Sequence, residues 1–515
     1  MARAEELNGE KFDVAIIGGG LGGLQCGYIL SKKGLKVCIM EQNHLLGGCL
    51  QSFVRKAGFD GKMSDNGNGA NIAEFDTGLH YVGGLDEGQS LNSIFKYFNL
   101  MDLPWHKMDT DGFDEVTING KSYMFANGYE AFASRMAEYF PSEKDNIKKY
   151  VALLKEVGDT LTESFSPREE SAIYTQSLFA RSAYEFVNET ISDPLLREVL
   201  AGNSLKMELS HNLPLYTFAQ INSSFIQSAY RLDGGGNMIS ESLCRSIEKM
   251  GGRVATKAKV TQINELEDNS IHIIINDSID LIAKRAISNL HPAATVDLIK
   301  ESANIRKIYR NRINRLENTY GMFTVNLTLK GNSIEHLNRN RYIHTLNEGE
   351  SLWNGTAKHS LLASYYNSGS EYCHQLDLLT PMAWVEVEKF VGTKIGNRGK
   401  EYETLKAEKA AQCIELAQSM ISNLKDSIIC SYTSTPLTYR DYTGTACGSA
   451  YGIRKDYSNL MLTLLAPKTP VPNLYLTGQN LNLHGVLGVS MTSFITCAQI
   501  IGMDAATDGL KFEKQ

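Results

Sequence analysis

Five glycines fall within residues 18–23 of the segment "DVAIIGGGLGGLQCGYIL", and this cluster constrains the fold more than any other feature of the sequence. Glycine loses more backbone freedom on folding than any other residue, so such a cluster is costly to order. A short apolar and β-branched run, residues 12–17, precedes it, and a helical segment that ends near Gly34 follows it. The pattern predicts a buried strand, a tight turn and a helix, with room for another molecule to approach the backbone of the turn.

Gly18, Gly20 and Gly23 fill the G-x-G-x-x-G template of dinucleotide-binding domains. In this template the first glycine permits the turn, the second admits a pyrophosphate, and the third lets the helix pack closely against the strand. A second apolar strand, "KVCIME", ends on Glu41, which can accept hydrogen bonds from a ribose diol. The strand, turn, helix, second strand and acid therefore occur in the order that a dinucleotide site requires.

Two further segments favour FAD over a nicotinamide as the bound dinucleotide. Gly47 and Gly48, in "QNHLLGGCLQSF", offer a second point of close approach just beyond the ribose position. Near the other end of the chain, residues 474–477 predict a strand, Gly478 a turn and residues 486–501 a helix. The N-terminus of that helix suits the C2 carbonyl of an isoalloxazine ring, which gains negative charge when a flavin is reduced.

Composition and charge exclude several other classes of protein. The 515 residues predict about two to four domains, and a net charge of −7 gives no reason to expect a nucleic-acid partner. No apolar run approaches the roughly 18 residues of a transmembrane helix, and the polar start "MARAEELNGEKFD" lacks the apolar centre of a secretion signal. Nine cysteines without a C-x-x-C pair or metal-ligand spacing fit a reducing compartment. These features predict a cytoplasmic protein without a bound metal.

The sequence resembles the FAD-dependent family of phytoene desaturases, carotenoid isomerases and all-trans-retinol saturases, and the saturase branch in particular. The blocks that carry the resemblance run in family order across residues 12–502. Besides the two glycine segments they are "FDTGLHYVGG", "LDGGGNMISESL", "AISNLHP", "TPLTYRDYTG" and "LYLTGQNLNLHGVLGV". The resemblance implies FAD, a bilobed fold and a long apolar substrate. Two departures stand out: Gln479 replaces the acid of many desaturases, as in saturase-like members, and residues 202–218 differ from the saturase pattern where substrate would be met.

These signals predict an α/β fold. It combines a discontinuous Rossmann-type FAD-binding domain with an α+β substrate domain, in the bilobed arrangement of amine oxidases and phytoene desaturases. The FAD-binding domain is predicted to comprise residues 12–90, 230–300 and 455–505. The inserts at residues 91–229 and 301–454 are predicted to form the substrate domain, the first helical and the second an antiparallel sheet with a long helix near residues 402–424.

The predicted cofactor-binding residues come from the glycine motif, the segment after Glu41 and the C-terminal block. They are Gly18, Gly20, Leu21, Gly22, Gly23, Glu41, Gln42, Gly47, Gly48, Gly478, Gln479, Gly485, Val486, Gly488 and Val489. The resemblance adds Val260, whose backbone would meet the adenine.

His80 and Tyr81 are the candidate catalytic residues, because the family segment that resembles "GLHYVGG" passes beside the flavin. A saturase needs a proton donor as well as a hydride, and a desaturase needs a proton acceptor. The alternative for His80 is packing within its loop with a hydrogen bond to a backbone carbonyl. His484 would either bond the flavin or cap the turn. The apolar and aromatic residues 213–230 would line a substrate tunnel or form ordinary core.

The leading prediction is an enzyme that saturates a carbon–carbon double bond of an apolar isoprenoid or polyene-like lipid. Because no second G-x-G-x-x-G follows a strand, its electrons would come from visiting NAD(P)H or from another protein. A lipid substrate also favours peripheral contact with the inner face of a membrane, although no strongly basic amphipathic helix supports it. The oligomeric state stays open, as do four alternatives: a desaturase, a redox-neutral isomerase, a non-catalytic flavin- and lipid-binding module, and an amine oxidase-like flavoenzyme.

Overall fold

Strands and helices alternate along the chain in a computed structural model that describes residues 1–57, 72–163, 165, 175–354, 359–367 and 369–512. The strands are β1 (Lys11–Ile17), β2 (Val37–Met40), β3 (Ser52–Lys56), β4 (Ile72–Asp76), β5 (Val82–Gly83), β6 (Trp105–Lys107), β7 (Asp114–Ile118), β8 (Lys121–Phe125), β9 (Ala229–Leu232), β10 (Arg253–Ala255), β11 (Val260–Glu265), β12 (Ile271–Ile275), β13 (Ile279–Ser288), β14 (Ile299–Glu301), β15 (Gly321–Leu329), β16 (Asn340–His344), β17 (Ser360–Tyr366), β18 (Gln375–Met382), β19 (Ile428–Ser434) and β20 (Leu474–Leu476). The helices are α1 (Leu21–Lys32), α2 (Ser90–Tyr97), α3 (Tyr129–Tyr139), α4 (Lys144–Glu163), α5 (residues 175–179), α6 (Ala183–Thr190), α7 (Pro194–Ala201), α8 (Leu215–Gln227), α9 (Asn237–Lys249), α10 (Pro292–Leu298), α11 (Lys307–Asn314), α12 (Lys400–Gln418), α13 (Leu424–Ser427), α14 (Pro436–Thr443), α15 (Leu460–Thr463), α16 (Gly485–Ile501) and α17 (Met503–Thr507).

The first sheet combines three separated parts of the chain around the glycine turn. Its strand order is β10-β2-β1-β13-β12-β11-β14, and β20 also pairs with β13. β1, β2, β13 and β20 run parallel, so Ile17, Met40, Ser288 and Leu476 all end at the same edge. In open parallel sheets, ligands bind beyond the carboxyl ends of the strands. Gly18, Glu41, Asn289 and Gly478 therefore converge at the edge where a dinucleotide is expected.

Helices α1 and α16 join the two ends of the chain on this sheet. The Gln25 side-chain amide donates a hydrogen bond to Ser490 Oγ over 2.7 Å, and the Ser493 hydroxyl donates to the Gly22 carbonyl. Residues from Leu21 to Ser31 of α1 are buried, because the helix lies between the sheet and its helical neighbours. The N-terminal turn and the C-terminal helix are thus parts of one packed unit.

The second sheet has the order β19-β15-β18-β17-β16-β7-β8. It is antiparallel except where β16 pairs in parallel with β7. Strands β7 and β8 come from the insert at residues 91–229, so the prediction that this insert is helical is wrong there. The residues between them, Asn119 and Gly120, both have positive φ angles, which is the two-residue hairpin geometry that Asn-Gly favours.

The remaining differences concern helix ends. A 3₁₀ turn, Pro141–Glu143, directly precedes α4. The predicted helix near residues 402–424 is α12, which ends at Gln418. None of the helices among the described residues combines the length and apolar character that a bilayer crossing requires.

The predicted fold class is confirmed: a Rossmann-type α/β sheet assembled from discontinuous segments lies beside a second, predominantly antiparallel sheet with helices. The predicted domain boundaries themselves stay predictions.

Candidate active site

A side chain is unfavourable at each glycine of the first turn, but the physical reason differs from one glycine to the next. Gly18 has a φ of +98°, a conformation that L-residues rarely adopt. A Cβ at Gly23 would lie 2.1 Å from the Gly18 carbonyl oxygen, so this glycine permits the contact between helix and strand. Cβ atoms at Gly20 and Gly22 would meet the side-chain amide of Asn289 at 2.8 and 2.6 Å. Gly20 and Gly22 therefore make room for the Asn289 side chain, and Gly23 permits the close contact between helix and strand.

Both carboxylate oxygens of Glu41 accept hydrogen bonds from backbone N–H groups, one of them in the glycine turn. The Gly19 N–H donates to Oε2 over 2.9 Å and the Asn43 N–H donates to Oε1 over 2.8 Å. Burial raises the pKa of Glu41, and the backbone hydrogen bonds oppose this rise. Each carboxylate oxygen can accept a second hydrogen bond, so the side chain is held in place and retains acceptor capacity for a ribose diol.

The C-terminal half of the site is built on Gly478 and the start of α16. Gly478 has a φ of +95°, and a Cβ there would lie 2.6 Å from Asn289 Oδ1. His484 precedes α16 in an extended conformation, and its Nε2 lies 3.1 Å from the carbonyl oxygen of Lys206. That contact makes the His484 ring an Nε2–H donor. The His484 side chain forms no capping hydrogen bond at the start of α16, so the capping alternative is not what the structure shows, and the bond to the flavin stays a prediction. Gly488 lies one turn into α16, where a Cβ would meet the Leu483 carbonyl at 2.5 Å.

A single cavity of about 640 Å³ brings the two ends of the chain and the second sheet together. Most of the residues predicted from the sequence line it. They are Gly18, Gly20, Leu21, Gly22, Glu41, Gln42, Gly47, Gly48, His80, Tyr81, Val260, Gly478, Gln479, Gly485, Val486 and Val489. Gly23 and Gly488 lie behind this lining, as packing positions. The contacts that these residues make with a cofactor stay predictions.

The residues present fit a flavin dinucleotide. One end of the cavity offers a cradle without Cβ atoms, backbone N–H groups and the carboxylate of Glu41, which suit a pyrophosphate and a ribose. A second helix start, at Gly485, faces the same cavity. Among the described residues, no cluster of three or more histidine, cysteine or acidic side chains is arranged to hold a metal ion.

Sequence reasoning missed Asn289, whose amide lies between the two glycine turns. Its Nδ2 and Oδ1 atoms occupy the space that Cβ atoms at Gly20, Gly22 and Gly478 would need. The signal was available, because Asn289 stands in "AISNLHP" directly after the apolar strand β13. A polar residue that follows a buried parallel strand belongs to the ligand-binding edge of the sheet.

His80 presents an unpaired ring nitrogen to the cavity. Its Nδ1 lies 3.3 Å from the Tyr366 hydroxyl, and its buried Nε2 has no hydrogen-bond partner among the described residues. Burial, together with a smaller effect of the positive charge of Arg231, lowers the pKa of His80 to about 4. The ring is therefore neutral at pH 7, and when Tyr366 donates to Nδ1 the proton is on Nε2. The alternative of a hydrogen bond to a backbone carbonyl is not what this loop forms.

The Tyr81 hydroxyl belongs to a buried polar cluster. It donates to Asp114 Oδ2 over 3.0 Å and lies 2.6 Å from the Tyr342 hydroxyl. Burial raises the pKa of Tyr81 well above its usual value. Its ring lies 4.4 Å, centroid to centroid, from that of Phe225 on α8. Tyr81 therefore connects the cavity wall to the second sheet.

The segment of residues 213–230, which includes α8, contributes to both the core and the cavity. Ile221, Ser224 and Phe225 on α8 line the cavity, whereas Leu215 and Phe218 belong to the buried core. The second sheet adds Met322, Leu362 and Leu379 to the apolar wall. The cavity thus has a polar end at the glycine turn and an apolar end under the second sheet.

Comparisons with known proteins show which proteins this chain is similar to. The profile of the NAD(P)-binding Rossmann-like domain matches residues 16–98. The chain is 24% identical to the all-trans-retinol 13,14-reductase of Homo sapiens, an alignment that spans 97% of this chain and 87% of that protein. It is 23% identical to prolycopene isomerase 2, chloroplastic, of an Oncidium hybrid cultivar, over 98% and 85% of the two chains. The resemblance predicted from the sequence blocks is confirmed.

A solved structure shows the same fold. Putrescine oxidase bound to putrescine superposes with a TM-score of 0.61 at 16% identity, over 96% of this chain and 99% of that chain. The two-sheet architecture is thus shared with an amine oxidase, in agreement with the predicted bilobed class.

Proposed function

We propose that this chain is an FAD-dependent oxidoreductase that saturates a carbon–carbon double bond of an apolar isoprenoid or polyene-like lipid. The observation that carries the proposal is the single cavity that joins a dinucleotide turn to an apolar wall. Full-length similarity to an all-trans-retinol 13,14-reductase supports the reaction class. The polar end of the cavity suits the nucleotide, and the apolar end suits a lipid.

The residues that would hold FAD belong to both ends of the chain. Gly20 and Gly22 would admit the pyrophosphate, Glu41 would accept hydrogen bonds from the ribose, and the start of α16 would face the flavin ring. Bound FAD would supply hydride transfer to or from carbon. The protein must then bind the lipid against the ring, exclude water and provide a proton.

We propose that His80 delivers the proton as part of a relay. Because its ring is neutral at pH 7, Nε2–H would be released to the substrate only as Nδ1 takes up the proton of the Tyr366 hydroxyl, which water later restores. The Nε2 of His80 lies in the cavity wall without a partner, and Tyr366 on β17 holds the opposite ring nitrogen. Tyr81 is the second candidate; because its hydroxyl is already bound to Asp114 and Tyr342, we propose that it acts by holding the wall in place. NAD(P)H, or another protein, would supply the electrons from outside. Contact with a membrane surface would deliver the lipid.

Product mass under anaerobic conditions tests the reaction class. The full-length protein is loaded with FAD, reduced, and incubated with all-trans-retinol or with a cis-carotenoid. Saturation adds two hydrogens to the lipid and leaves oxidised flavin, and this is the expected result. A loss of two hydrogens with oxidised flavin and an added acceptor would instead establish a desaturase.

A redox-neutral isomerase is the second candidate, because a prolycopene isomerase matches almost the whole chain. In the same assay it would change the retention time of a cis-carotenoid without changing its mass or consuming reduced flavin. A bound flavin that never responds to any lipid would instead indicate a non-catalytic binding module.

The His80 assignment is tested with H80F and H80Q variants. We expect both to retain FAD, because His80 lies outside the glycine turns, and to lose most of the turnover. H80Q keeps a side-chain N–H donor but not a transferable proton. Full activity in H80Q would contradict the proton-donor role.

A further inference from the structure

Lys206 places a buried cationic group in the wall of the apolar end of the cavity. Its Nζ is inaccessible to solvent and has no hydrogen-bond partner among the described residues. The Nζ lies 4.2 Å from the ring centroid of Phe225, and both residues line the cavity. Burial lowers the pKa of Lys206 to about 8, so the amine is still mainly charged at pH 7.

Asp114, the carboxylate whose charge acts on Lys206, does not supply a hydrogen-bond acceptor for it. Asp114 attracts the charge of Lys206 but forms no direct ion pair with it. Its oxygens accept hydrogen bonds from Tyr81 over 3.0 Å, Asn203 over 3.1 Å and Asn340 over 3.2 Å. The face of the Phe225 ring stabilises the ammonium group in part, but a buried charge without a hydrogen-bond acceptor remains unfavourable. An acceptor supplied by a ligand would complete the site.

Three other polar side chains that line the cavity already have hydrogen-bond partners. Gln220 donates to the Val157 carbonyl over 2.6 Å, Ser224 to the Ile221 carbonyl over 2.9 Å, and Tyr451 to the Leu205 carbonyl. Among the described cavity-lining residues, buried side-chain atoms without partners occur on His80, Lys206 and Ser449. Of these three, only Lys206 carries a charge at pH 7, because burial keeps His80 neutral.

We propose that Lys206 binds a carboxylate at one end of the lipid substrate, so that the substrate class is an apolar polyene or isoprenoid carboxylic acid. This assignment rests on the proposed function and makes it more specific. A carboxylate accepts a charge-assisted hydrogen bond from the amine and matches its single charge. The other lysine that lines the cavity, Lys259, belongs to the segment beside Val260 at the predicted adenine end. A diphosphate would carry more negative charge than one lysine neutralises, so a monoanion is the better match.

The geometry also orients the lipid. The Lys206 carbonyl accepts the hydrogen bond from His484 at the start of α16, while its side chain reaches Phe225 on α8. Lys206 therefore lies where the predicted flavin-facing helix meets the apolar wall. A carboxylate bound there would fix which bond of the chain lies beside His80 and the flavin.

Binding of matched lipids tests this assignment without requiring turnover. The probes are cis-parinaric acid, a fluorescent polyene fatty acid, and its methyl ester, titrated into the FAD-loaded full-length protein. We expect the acid to bind at least about tenfold more tightly than the ester, because loss of a hydrogen bond to a buried charged group typically has an effect of this size. Equal affinities, or no binding of the acid, would overturn the assignment.

Three variants locate the source of the preference. K206M should bind the ester as the wild type does and lose the preference for the acid, whereas K206R should retain it. K259M removes a charge from the same cavity at its other end and should keep the wild-type ratio. If K206M keeps the preference, or if K259M alone abolishes it, Lys206 is not the carboxylate site. If K206M fails to fold, the ratio of the acid affinity to the ester affinity in the wild type, in K206R and in K259M decides whether the assignment holds.

The outcome separates this inference from the proposed function. A wild-type protein that prefers the acid but changes the mass of no lipid would contradict the proposed enzyme and leave the carboxylate site in place. A protein that saturates retinol and binds the acid and the ester equally would contradict the carboxylate site alone.

Discussion

Glu41 links the glycine turn to the nucleotide that we expect beside it. Its two oxygens already accept hydrogen bonds from the Gly19 and Asn43 N–H groups, so the side chain both shapes the turn and faces the cavity. E41A removes both functions. We expect the dissociation constant for FAD to rise by about tenfold to a hundredfold, as for the loss of hydrogen bonds to a charged group.

The control for this prediction is E41Q, which keeps the length and one carbonyl acceptor but removes the charge. Fluorescence titration of FAD should rank the wild type first, E41Q second and E41A last. Unchanged affinity in E41A would show that the ribose is bound elsewhere.

Asp377 on β18 makes stability depend on pH. It is fully buried, and burial, together with a smaller effect of the negative charge of Asp76, raises its pKa to about 7. A carboxyl group whose pKa is higher in the folded protein than in the unfolded chain stabilises the fold fully below its unfolded-state pKa of about 4. This stabilisation is lost as the pH rises towards 7. Relative to the wild type, D377N should therefore gain about 1.4 kcal/mol in free energy of unfolding per pH unit over that window.

Denaturant unfolding at several pH values between 5 and 8 measures this difference, which should level off above pH 7. D268N is the control, because Asp268 is exposed and hydrogen bonds from Ser270 lower its pKa. A difference between D377N and the wild type that does not change with pH would mean that Asp377 titrates alike in the folded and unfolded chain.

The sequence was sufficient to identify residues whose roles depend on neighbours within one motif. It did not identify residues whose roles depend on partners from distant parts of the chain. The roles of Gly18, Gly23 and Glu41 follow from consecutive positions in one motif. Lys206 shows no pattern of its own in the sequence. The surroundings of its amine are set by Phe225 and Asp114, which belong to separate elements of the fold.

Among the elements, the turn between β1 and α1 is the most tightly constrained. A Cβ at residue 23 would lie 2.1 Å from the backbone oxygen of Gly18, and backbone cannot rotate away as a flexible side chain does. We expect G23A to destabilise the flavin-free protein by about 1–3 kcal/mol, as overpacking typically does. It should also weaken FAD binding.

Thermal unfolding and FAD titration of G23A measure both effects. G34N is the matched control: Gly34 follows the same helix and has a φ of +79°, and a Cβ at this position would meet no atom within 4 Å. Asparagine tolerates this conformation, so G34N should behave as the wild type. Similar losses in G23A and G34N would contradict a specific contact between turn and helix.

The hairpin of β7 and β8 shows where prediction of elements failed. Its Asn119-Gly120 turn is a recognisable local signal, yet β7 completes a sheet by pairing with β16, more than 200 residues later in the chain. A prediction based on local periodicity cannot supply that partner. The strand and helix at residues 474–501 were predicted because each has a strong local pattern.

For the whole molecule, the main consequence is that one site depends on both ends of the chain. The Gln25 to Ser490 hydrogen bond and the Ser493 to Gly22 contact hold α16 against the N-terminal turn. A ligand that binds only this assembled form stabilises it by about 2.7 kcal/mol at a concentration one hundred times its dissociation constant. FAD should therefore raise the unfolding temperature of the whole chain in a single transition.

The discontinuous nucleotide domain was predictable because its segments carry separate motifs in a familiar order. The connectivity of the second sheet was not, because its mixed pairing arises from long-range contacts between inserts. Part of the apolar wall comes from that sheet, through Met322, Leu362 and Leu379. The substrate class therefore depends on the second sheet, which is the part of the fold that is hardest to predict from the sequence.

The most direct test of this account is the visible absorption spectrum of the full-length protein after incubation with FAD and removal of unbound nucleotide. We predict the absorption of one tightly held oxidised flavin per chain. A protein that stays colourless after this treatment would contradict the central claim that the two ends of the chain form a flavin site.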